Sequence, residues 1–442
     1  MKLGKKLLAM LMTLVMLLGT VGVASAEEVA IPEGRTVVEF WNYTMTDYVT
    51  NWWKKWVDTY NNSQDEVWVN LVFVPEAGWN EKLKAAQATG TAPDIYSNPI
   101  KNGATSIPSG AIIPFDDYVD PAVWEQLTPA GEIYSVFYDK HWVFPWYLEP
   151  SMMLAYRKDM FEAAGLDPEA PPTTWAELIE YGQKLTTFDV WGLNMATADG
   201  DITWTTWGMQ AGLNGPGMAL NEDWTAANVN TEGYLKLLNF YKDLFDAGIC
   251  PPQCINGYST EDPICQGRVA MAALGSWTLG MIKLSYPEMV DKIGVSFFPT
   301  EDGDYKKATA TLGGYGVMLD GNSKHPQEAA DFLVWMFAGD PEVGADFIRA
   351  SNYSKYSGWA PVMDLANTDE AAYDGWMELV QDKVMNYAVP EPLYPWDVSL
   401  SIGVAVNRVL LEGMDPQEAL EIAEEEINKY IKDYNVPAMK QI

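Results

Sequence analysis

The chain has 442 residues, of which 48% are hydrophobic and 20% charged, and this composition excludes a disordered protein. Its 61 Asp and Glu residues against 28 Lys and Arg give a formal net charge of −33, which disfavours binding to nucleic acid or to an anionic membrane surface. One compact core rarely exceeds about 300 residues, so we expect two lobes joined by short connections.

The first 26 residues have the pattern of a signal peptide, and we exclude them from the fold. Lysines are followed by an apolar run from Leu7 to Leu18, and the small residues Ala24, Ser25 and Ala26 form a candidate cleavage site. An uncleaved membrane anchor is the alternative, which the glycines after the run disfavour. No cysteine follows the run, so a lipid anchor is not indicated. We therefore expect an exported mature chain.

Predicted strands and helices then alternate, which indicates a parallel α/β sheet. In chain order, strands are predicted at 36–43, at 66–74 and in PDIYS, with helices at 47–60 and in GWNEKLKAAQATG between them. Later helices are predicted in TTWAELIEYGQKLT, TEGYLKLLNFYKDLFDAG, HPQEAADFLVWMFAG and DPQEALEIAEEEINKYIKDY, and later strands in IGVSFFP and GGYGVML.

The stretch ATGTAPDIYSNP places a carboxylate where the third strand begins. Ala-Pro before Asp94 stops a helix, and Ile-Tyr after it favours a strand. Ligands of such sheets bind beyond the carboxyl ends of the strands, which favours Asn98 as the ligand contact. We predict that Asp94 instead accepts hydrogen bonds from nearby backbone N–H groups and stabilises the turn.

The sequence lacks the common catalytic motifs, but its carboxylates leave one enzymatic alternative open. There is no Gly-x-Ser-x-Gly, HExxH or phosphate-binding loop, and we expect no metal and no cofactor. The segments 199–201 and 302–304, both Asp-Gly-Asp, lack the full spacing of a calcium loop and are interpreted as surface turns. A secreted glycoside hydrolase needs only two opposed carboxyl groups, so it remains an alternative.

All three cysteines, Cys250, Cys254 and Cys265, lie in one short segment. Export favours a local disulfide, but three thiols allow three pairings and leave one over. A zinc site would need a further ligand, and both histidines are distant in sequence. The pairing is left open.

Tryptophan is the most informative residue type, with 19 in the chain. A tryptophan ring lies flat against the C–H face of a sugar, while Asn, Asp and Glu bind its hydroxyls. Most tryptophans could equally be core residues, so composition leaves both roles open. Several lie beside glycine or turn residues: Trp41, Trp79, Trp146, Trp204, Trp207, Trp277, Trp359 and Trp396.

Five segments, in the expected order, resemble the extracellular solute-binding proteins of sugar ABC transporters, the maltodextrin-binding type. TGTAPDIYSNP is similar to the family's Gly-x-(Ala/Gly)-Pro-Asp-(Ile/Val) signature. VFPWYLEPSMMLAYRKDMFEAAGLDPEAPPTTWAEL is similar to its crossover strand, Tyr-(Asn)-Lys-Asp pair and Pro-x-Thr-Trp helix start. CQGRVAMAALGSW, GGYGVML and HPQEAADFLVWM resemble later segments. The chain departs from the pattern at Arg157, where the family usually has Asn, and in lacking a lipobox cysteine.

The resemblance implies a periplasmic-binding-protein-like type II fold, in which two discontinuous α/β lobes enclose a ligand cleft. Lobe one would comprise 27–140 and 306–357, and lobe two 141–305 and 358–442. The implied function is capture of a sugar, an oligosaccharide in preference to a monosaccharide, followed by lobe closure and delivery to a membrane permease. We expect a periplasmic or extracellular monomer that catalyses nothing. A polyamine or a peptide remains the alternative ligand.

The resemblance also assigns ligand contacts residue by residue. Trp204 is favoured over Trp207 as a stacking platform, and the alignment is loose for the last two candidates, Trp396 and Asp397. Tyr315 is a candidate beside two glycines, and Trp146 beside a turn residue. The complete set of predicted contacts is Asn42, Tyr43, Thr44, Asn98, Trp146, Glu149, Trp204, Trp277, Tyr315, Trp396 and Asp397.

Overall fold

The structure, a computed structural model, describes residues 31–75, 77–258 and 260–440. The predicted signal peptide, residues 1–26, lies outside the described residues. Within the described ranges, no helix has both the length and the apolar character that crossing a membrane requires.

Strands and helices alternate along the first part of the chain, as predicted. The strands are β1 (Thr36–Tyr43), β2 (Val67–Val74), β3 (Ile95–Pro99), β4 (Ile112–Ile113), β5 (Val136–Phe137), β6 (Lys140–His141), β7 (Val143–Pro150), β8 (Met153–Arg157), β9 (Trp191–Asn194), β10 (Val269–Leu274), β11 (Ile293–Phe297), β12 (Thr311–Asp320) and β13 (Val389–Pro390). The helices are α1 (Asp47–Ser63), α2 (Trp79–Thr89), α3 (Ile100–Ser106), α4 (Pro121–Trp124), α5 (Pro129–Ser135), α6 (Lys158–Ala163), α7 (Trp175–Leu185), α8 (Asp199–Asn214), α9 (Glu232–Asp246), α10 (Asp262–Cys265), α11 (Ser276–Ser285), α12 (Pro326–Val334), α13 (Pro341–Ala350), α14 (Ala360–Ala366), α15 (Gly375–Lys383), α16 (Trp396–Glu412) and α17 (Pro416–Asp433).

The first sheet has seven strands, and its centre is the parallel arrangement that the sequence predicts. The strand order is β13-β12-β3-β1-β2, and β4 and β7 also pair with β12. β1 runs parallel to both β2 and β3, whereas β12 is antiparallel to β3 and β7. Because parallel strands need a crossover, α1 and α2 connect β1, β2 and β3. The ends of β1 and β3 therefore meet at one edge of the sheet.

The second sheet has four strands in the order β11-β8-β10-β9. The chain enters it directly from β7 through Ser151 and Met152, so this short segment links the two sheets. β7 itself lies in the first sheet, whereas the predicted second lobe begins at residue 141. A division of the chain that follows the sheets falls between Pro150 and Met153.

Asp94 holds two segments together at the entrance to β3. One carboxylate oxygen accepts the backbone N–H of Glu39 in β1 at 3.0 Å. The other accepts the Ser323 hydroxyl at 2.7 Å and the backbone N–H groups of Lys324 and His325 at 3.1 and 3.3 Å. The prediction that Asp94 accepts backbone N–H groups is confirmed, and the donors belong to β1 and to residues 324–325 and not to the turn before β3.

The helices α1, α12 and α13 cover one face of the first sheet with aromatic side chains. Trp53 is fully buried, and its ring centroid lies 4.8 Å from that of Phe40 in β1. Trp52 donates its indole N–H to the carbonyl of Val343 in α13 at 3.0 Å. This aromatic layer is a packed core.

The three cysteines are free thiols in the structure. Burial raises the pKa of Cys254 to about 11 and that of Cys265 to about 12, so both thiols stay protonated at neutral pH. Among the described residues, no group of three or more His, Cys, Asp or Glu side chains could hold a metal ion.

Candidate functional site

One side of the candidate site is a row of tyrosines on the first sheet. The Tyr43 hydroxyl, at the end of β1, donates to Asn98 Oδ1 in β3 at 2.9 Å. The ring of Tyr315 in β12 lies edge-on to Tyr43, with the centroids 5.7 Å apart, and stacks on Tyr147 of β7 at 5.5 Å. Tyr43 and Asn98, at the ends of β1 and β3, thus lie in one row with Tyr315 and Tyr147 from the middle of β12 and β7.

The opposite side is an aromatic triad carried by segments around the second sheet. Trp204 in α8, Trp277 in α11 and Tyr258 have ring centroids 5.6 to 6.1 Å apart. Both indole rings are half-buried, while the Tyr258 ring is buried and its hydroxyl donates to the backbone carbonyl of Ser151 between the two sheets. We refer to Trp204, Trp277 and Tyr258 as the aromatic triad.

Lys355 joins the two sides. Its ammonium group forms an ion pair with Glu149 at the end of β7. The same nitrogen lies 4.6 Å from the ring centroid of Tyr147 and 5.8 Å from that of Trp277. The Lys355 residue is 5% exposed and the Glu149 side chain 12% exposed, so this ion pair lies largely out of solvent.

Glu391, just after β13, contributes a second carboxylate. Trp204 donates its indole N–H to Glu391 Oε1 at 2.9 Å, and a Cβ at Gly313 would lie only 3.0 Å from that oxygen. Burial raises the pKa of Glu391, while the nearby charge of Lys101 and the Trp204 hydrogen bond oppose the rise. A side chain at Gly313 would therefore displace this carboxylate by a few tenths of an ångström.

A second lysine, Lys101 in α3, lies between the sheets. Its ammonium nitrogen is 4.2 Å from the ring centroid of Trp207 in α8 and 5.5 Å from that of Trp396 in α16. Burial lowers the pKa of Lys101 to about 8, although the charge of Glu391 opposes that change.

Most of the predicted contact residues converge at this site. Contacts between neighbouring side chains connect the two sides. Trp396 lies at the periphery, 42% exposed, with its ring edge-on to Trp207 and the two centroids 6.1 Å apart. The residues in the connected group are Tyr43, Asn98, Glu149, Trp204, Trp277 and Tyr315.

Four predicted residues lie elsewhere or have other partners. Trp146 packs in the aromatic core, with its ring stacked on Trp52 at 5.8 Å. Asn42 is fully buried and accepts a hydrogen bond from the Ser97 hydroxyl. Thr44 is exposed, and Asp397 accepts the Tyr434 hydroxyl at 2.7 Å.

Sequence reasoning missed five residues of the site: Lys101, Tyr147, Tyr258, Lys355 and Glu391. The cleft position of Tyr147 could have been predicted from the sequence. Side chains alternate along a strand, so in FPWYLE residues 147 and 149 share one face of the strand and residue 146 points to the other. Lys355 and Glu391 lie in segments without a motif and reach the site only through the tertiary fold.

A separate cavity of about 810 Å³ lies beside β11, away from the aromatic triad. Tyr156, Tyr181, Trp376 and Lys383 are among its lining residues, and it contains none of the predicted contacts. The cavity lined by Lys101 and Glu391 has a volume of only about 40 Å³. The convergence of charged and aromatic side chains, and not open volume, identifies the candidate site.

Comparison with known proteins gives consistent results for the fold. Residues 55–373 match the family model described as bacterial extracellular solute-binding protein. The chain is 26% identical over 381 residues to the sn-glycerol-3-phosphate-binding periplasmic protein UgpB of Escherichia coli, covering 79% of this chain and 82% of that protein. It is 25% identical to the probable amino-acid ABC transporter periplasmic-binding protein y4oP of Sinorhizobium fredii, but that match spans only 42% of either chain.

Among solved structures, the cyclic alpha-maltosyl-1,6-maltose binding protein of Arthrobacter globiformis superposes with a TM-score of 0.71 at 26% identity. The match covers 90% of this chain and 100% of that chain.

Proposed function

This chain belongs to the bacterial extracellular solute-binding proteins, and we propose that it is the substrate-binding subunit of a carbohydrate ABC importer. Its fold is the two-lobe α/β type II fold, and the extracellular family confirms the expected export. In our proposal a sugar, preferably an oligosaccharide, binds between the lobes, the lobes close, and a membrane permease receives the ligand. The protein acts as a monomer and catalyses nothing.

The observation that carries this proposal is the pairing of aromatic faces with carboxylates on two facing sides. Trp204 and Trp277 offer half-buried indole rings that fit the C–H face of a sugar, and Glu149 and Glu391 can accept its hydroxyls. A triad of this kind would bind poorly to a small charged solute without apolar faces. The maltose-type ligand named for the Arthrobacter protein supports the same class.

We propose the two predicted lobes with one boundary moved. It lies between β7 and β8, where the chain passes from the first sheet to the second. Lobe one is built on the first sheet and includes β7, and lobe two is built on the second sheet. The linker at Ser151 is tied to β12, where the hydroxyls of Ser151 and Thr311 lie 2.8 Å apart. Such a short, hydrogen-bonded crossing suits rotation of one lobe against the other, which small-angle scattering would detect as compaction on sugar binding.

Calorimetry with a panel of mono- and oligosaccharides tests the proposal. We expect saturable binding of at least one sugar, with no sustained release of reducing ends from oligosaccharides. Absence of heat and of thermal shift with every sugar would contradict the binding function. Sustained release that is lost in Glu149→Gln would instead indicate a glycoside hydrolase.

A further inference from the structure

We propose that the saccharide bound in this cleft carries an anionic group, a carboxylate or a phosphate, which Lys101 recognises. This inference rests on the proposed function, because it concerns the same cleft and narrows its ligand class. The observation behind it is one buried lysine whose ammonium group lies between the lobes with no hydrogen-bonding partner.

Lys101 is 8% exposed, and its ammonium nitrogen has no hydrogen-bond or ion-pair partner among the described residues. The ring centroids of Trp207 and Trp396, both on helices of lobe two, lie 4.2 and 5.5 Å from this nitrogen. The cation–π attraction of two rings offsets only part of the cost of removing an ammonium from water. The Glu391 carboxylate lies near this ammonium without forming an ion pair with it, and a bound anionic group would supply the direct partner.

The other charged groups of the cleft already have partners. Glu149 is paired with Lys355, and Glu391 accepts its hydrogen bond from Trp204. Glu391 affects Lys101 through the electrostatic field but forms no ion pair with it among the described residues. Among the described residues, Lys101 is therefore the cleft cation that has no direct anionic partner.

The chemistry selects a single anionic group attached to a sugar. An ammonium is a compact point charge with three donors, so it accepts a carboxylate or a phosphate without the planar match that a guanidinium requires. The aromatic triad continues to bind the apolar faces of the sugar rings. Neutral sugars would leave the ammonium with hydroxyl dipoles only, and are expected to bind more weakly.

Matched pairs of ligands test the inference by calorimetry. The panel is glucuronic acid against glucose, an oligogalacturonate against the corresponding neutral galacto-oligosaccharide, and glucose 6-phosphate against glucose. The uronic acid and phosphate arms distinguish the two sources of the anion. We expect one acidic member to bind at least tenfold more tightly than its neutral counterpart.

Two lysine variants locate the effect. Lys101→Met should abolish the preference for the acidic ligand, and Lys101→Arg should retain it because the charge remains. The matched control is Lys82→Met: Lys82 is exposed on lobe one, 4.7 Å from the Trp41 ring, so the variant removes the same charge and the same kind of cation–π contact outside the cleft. The control should keep the wild-type preference.

The outcomes separate the inference from the proposed function. Equal binding of acidic and neutral sugars, or preference for the neutral ones, overturns the inference and leaves the sugar-binding function in place. A preference that survives in Lys101→Met also overturns it. No binding of any saccharide overturns the proposed function and the inference with it. If Lys101→Met does not fold, the wild-type preference and the Lys101→Arg result decide.

Discussion

Lobe one and the cleft are both rich in tryptophan, yet the two regions use it differently. In the core, Trp52, Trp53 and Trp146 are at most 3% exposed and pack against one another and neighbouring aromatic rings. In the cleft, Trp204 and Trp277 are half-buried, and an ammonium or a carboxylate lies against each. The number of aromatic rings does not distinguish packing from binding. A charged neighbour alone does not either, because Trp41 has one outside the cleft. Trp204 and Trp277 differ in that their charged neighbours, Glu391 and Lys355, also lie against strands of the first sheet.

The largest expected effect is the loss of stability on removing a tryptophan from the core. Trp53→Ala should lower the free energy of unfolding by about 3–5 kcal/mol, because it leaves a large cavity among close-packed rings. Chemical denaturation measures that loss. The sugar specificity of the folded fraction should be unchanged. A variant with wild-type stability and lost sugar binding would contradict the assignment of this region to packing.

Substitution of the cleft tryptophans should lower the affinity for sugar and leave the stability of the protein unchanged. Trp204→Ala and Trp277→Ala should each weaken sugar binding by roughly 1–3 kcal/mol, since each removes an aromatic contact of a bound ring. Phe188→Ala is the control, because Phe188 is fully exposed in lobe two. Calorimetry and thermal unfolding of the same samples separate the two quantities. Unchanged affinity in both tryptophan variants would remove the site from this cleft.

Asp94, just before β3, and Asn98, near its end, should show the same contrast between stability and affinity on a smaller scale. Asp94→Asn replaces an acceptor oxygen that receives backbone N–H groups, so it should cost about 1–2 kcal/mol of stability with little change in affinity. Asn98→Ala should do the reverse, because Asn98 lies beside Tyr43 at the site. Denaturation and calorimetry on both variants test the pair. A sugar hydrogen-bonded to Asp94 would overturn this division.

The smallest expected effect concerns pH and rests on the role proposed for Lys101. Burial lowers the pKa of Lys101 to about 8, against the opposing charge of Glu391. Below that pH the ammonium is charged and can hold an anion. Above it, binding must first restore the proton, so affinity for an acidic sugar should fall by about tenfold per pH unit. Titration at pH 7 and pH 9 checks this, and the same fall in Lys101→Met would contradict it.

Local signals in the sequence predicted β1, β2, β3 and β12 of the first sheet, but not the two-residue strands β4 and β13. The predicted β1 matches the observed Thr36–Tyr43, and the role of Asp94 follows from the stop signal before it and the strand after it. The resemblance added Trp204, Trp277 and Glu149, which the structure brings to one site. Trp146 lies in the core because adjacent strand residues face opposite sides, so its neighbour Tyr147 takes the cleft position.

The charged partners could not be predicted in this way. Lys355 and Glu149 are 206 residues apart, and Trp204 and Glu391 are 187 apart. Neither pair belongs to a motif, and both depend on how the lobes meet. A single sequence carries no local signal for such contacts.

The central claim is that a sugar binds between the lobes, against the aromatic triad. A crystal structure with the tightest-binding saccharide of the panel tests it most directly. We predict sugar rings stacked on Trp204 and Trp277, with hydroxyls on Glu149 or Glu391. A saccharide bound instead in the cavity beside β11, next to Tyr181 and Trp376, would contradict the account.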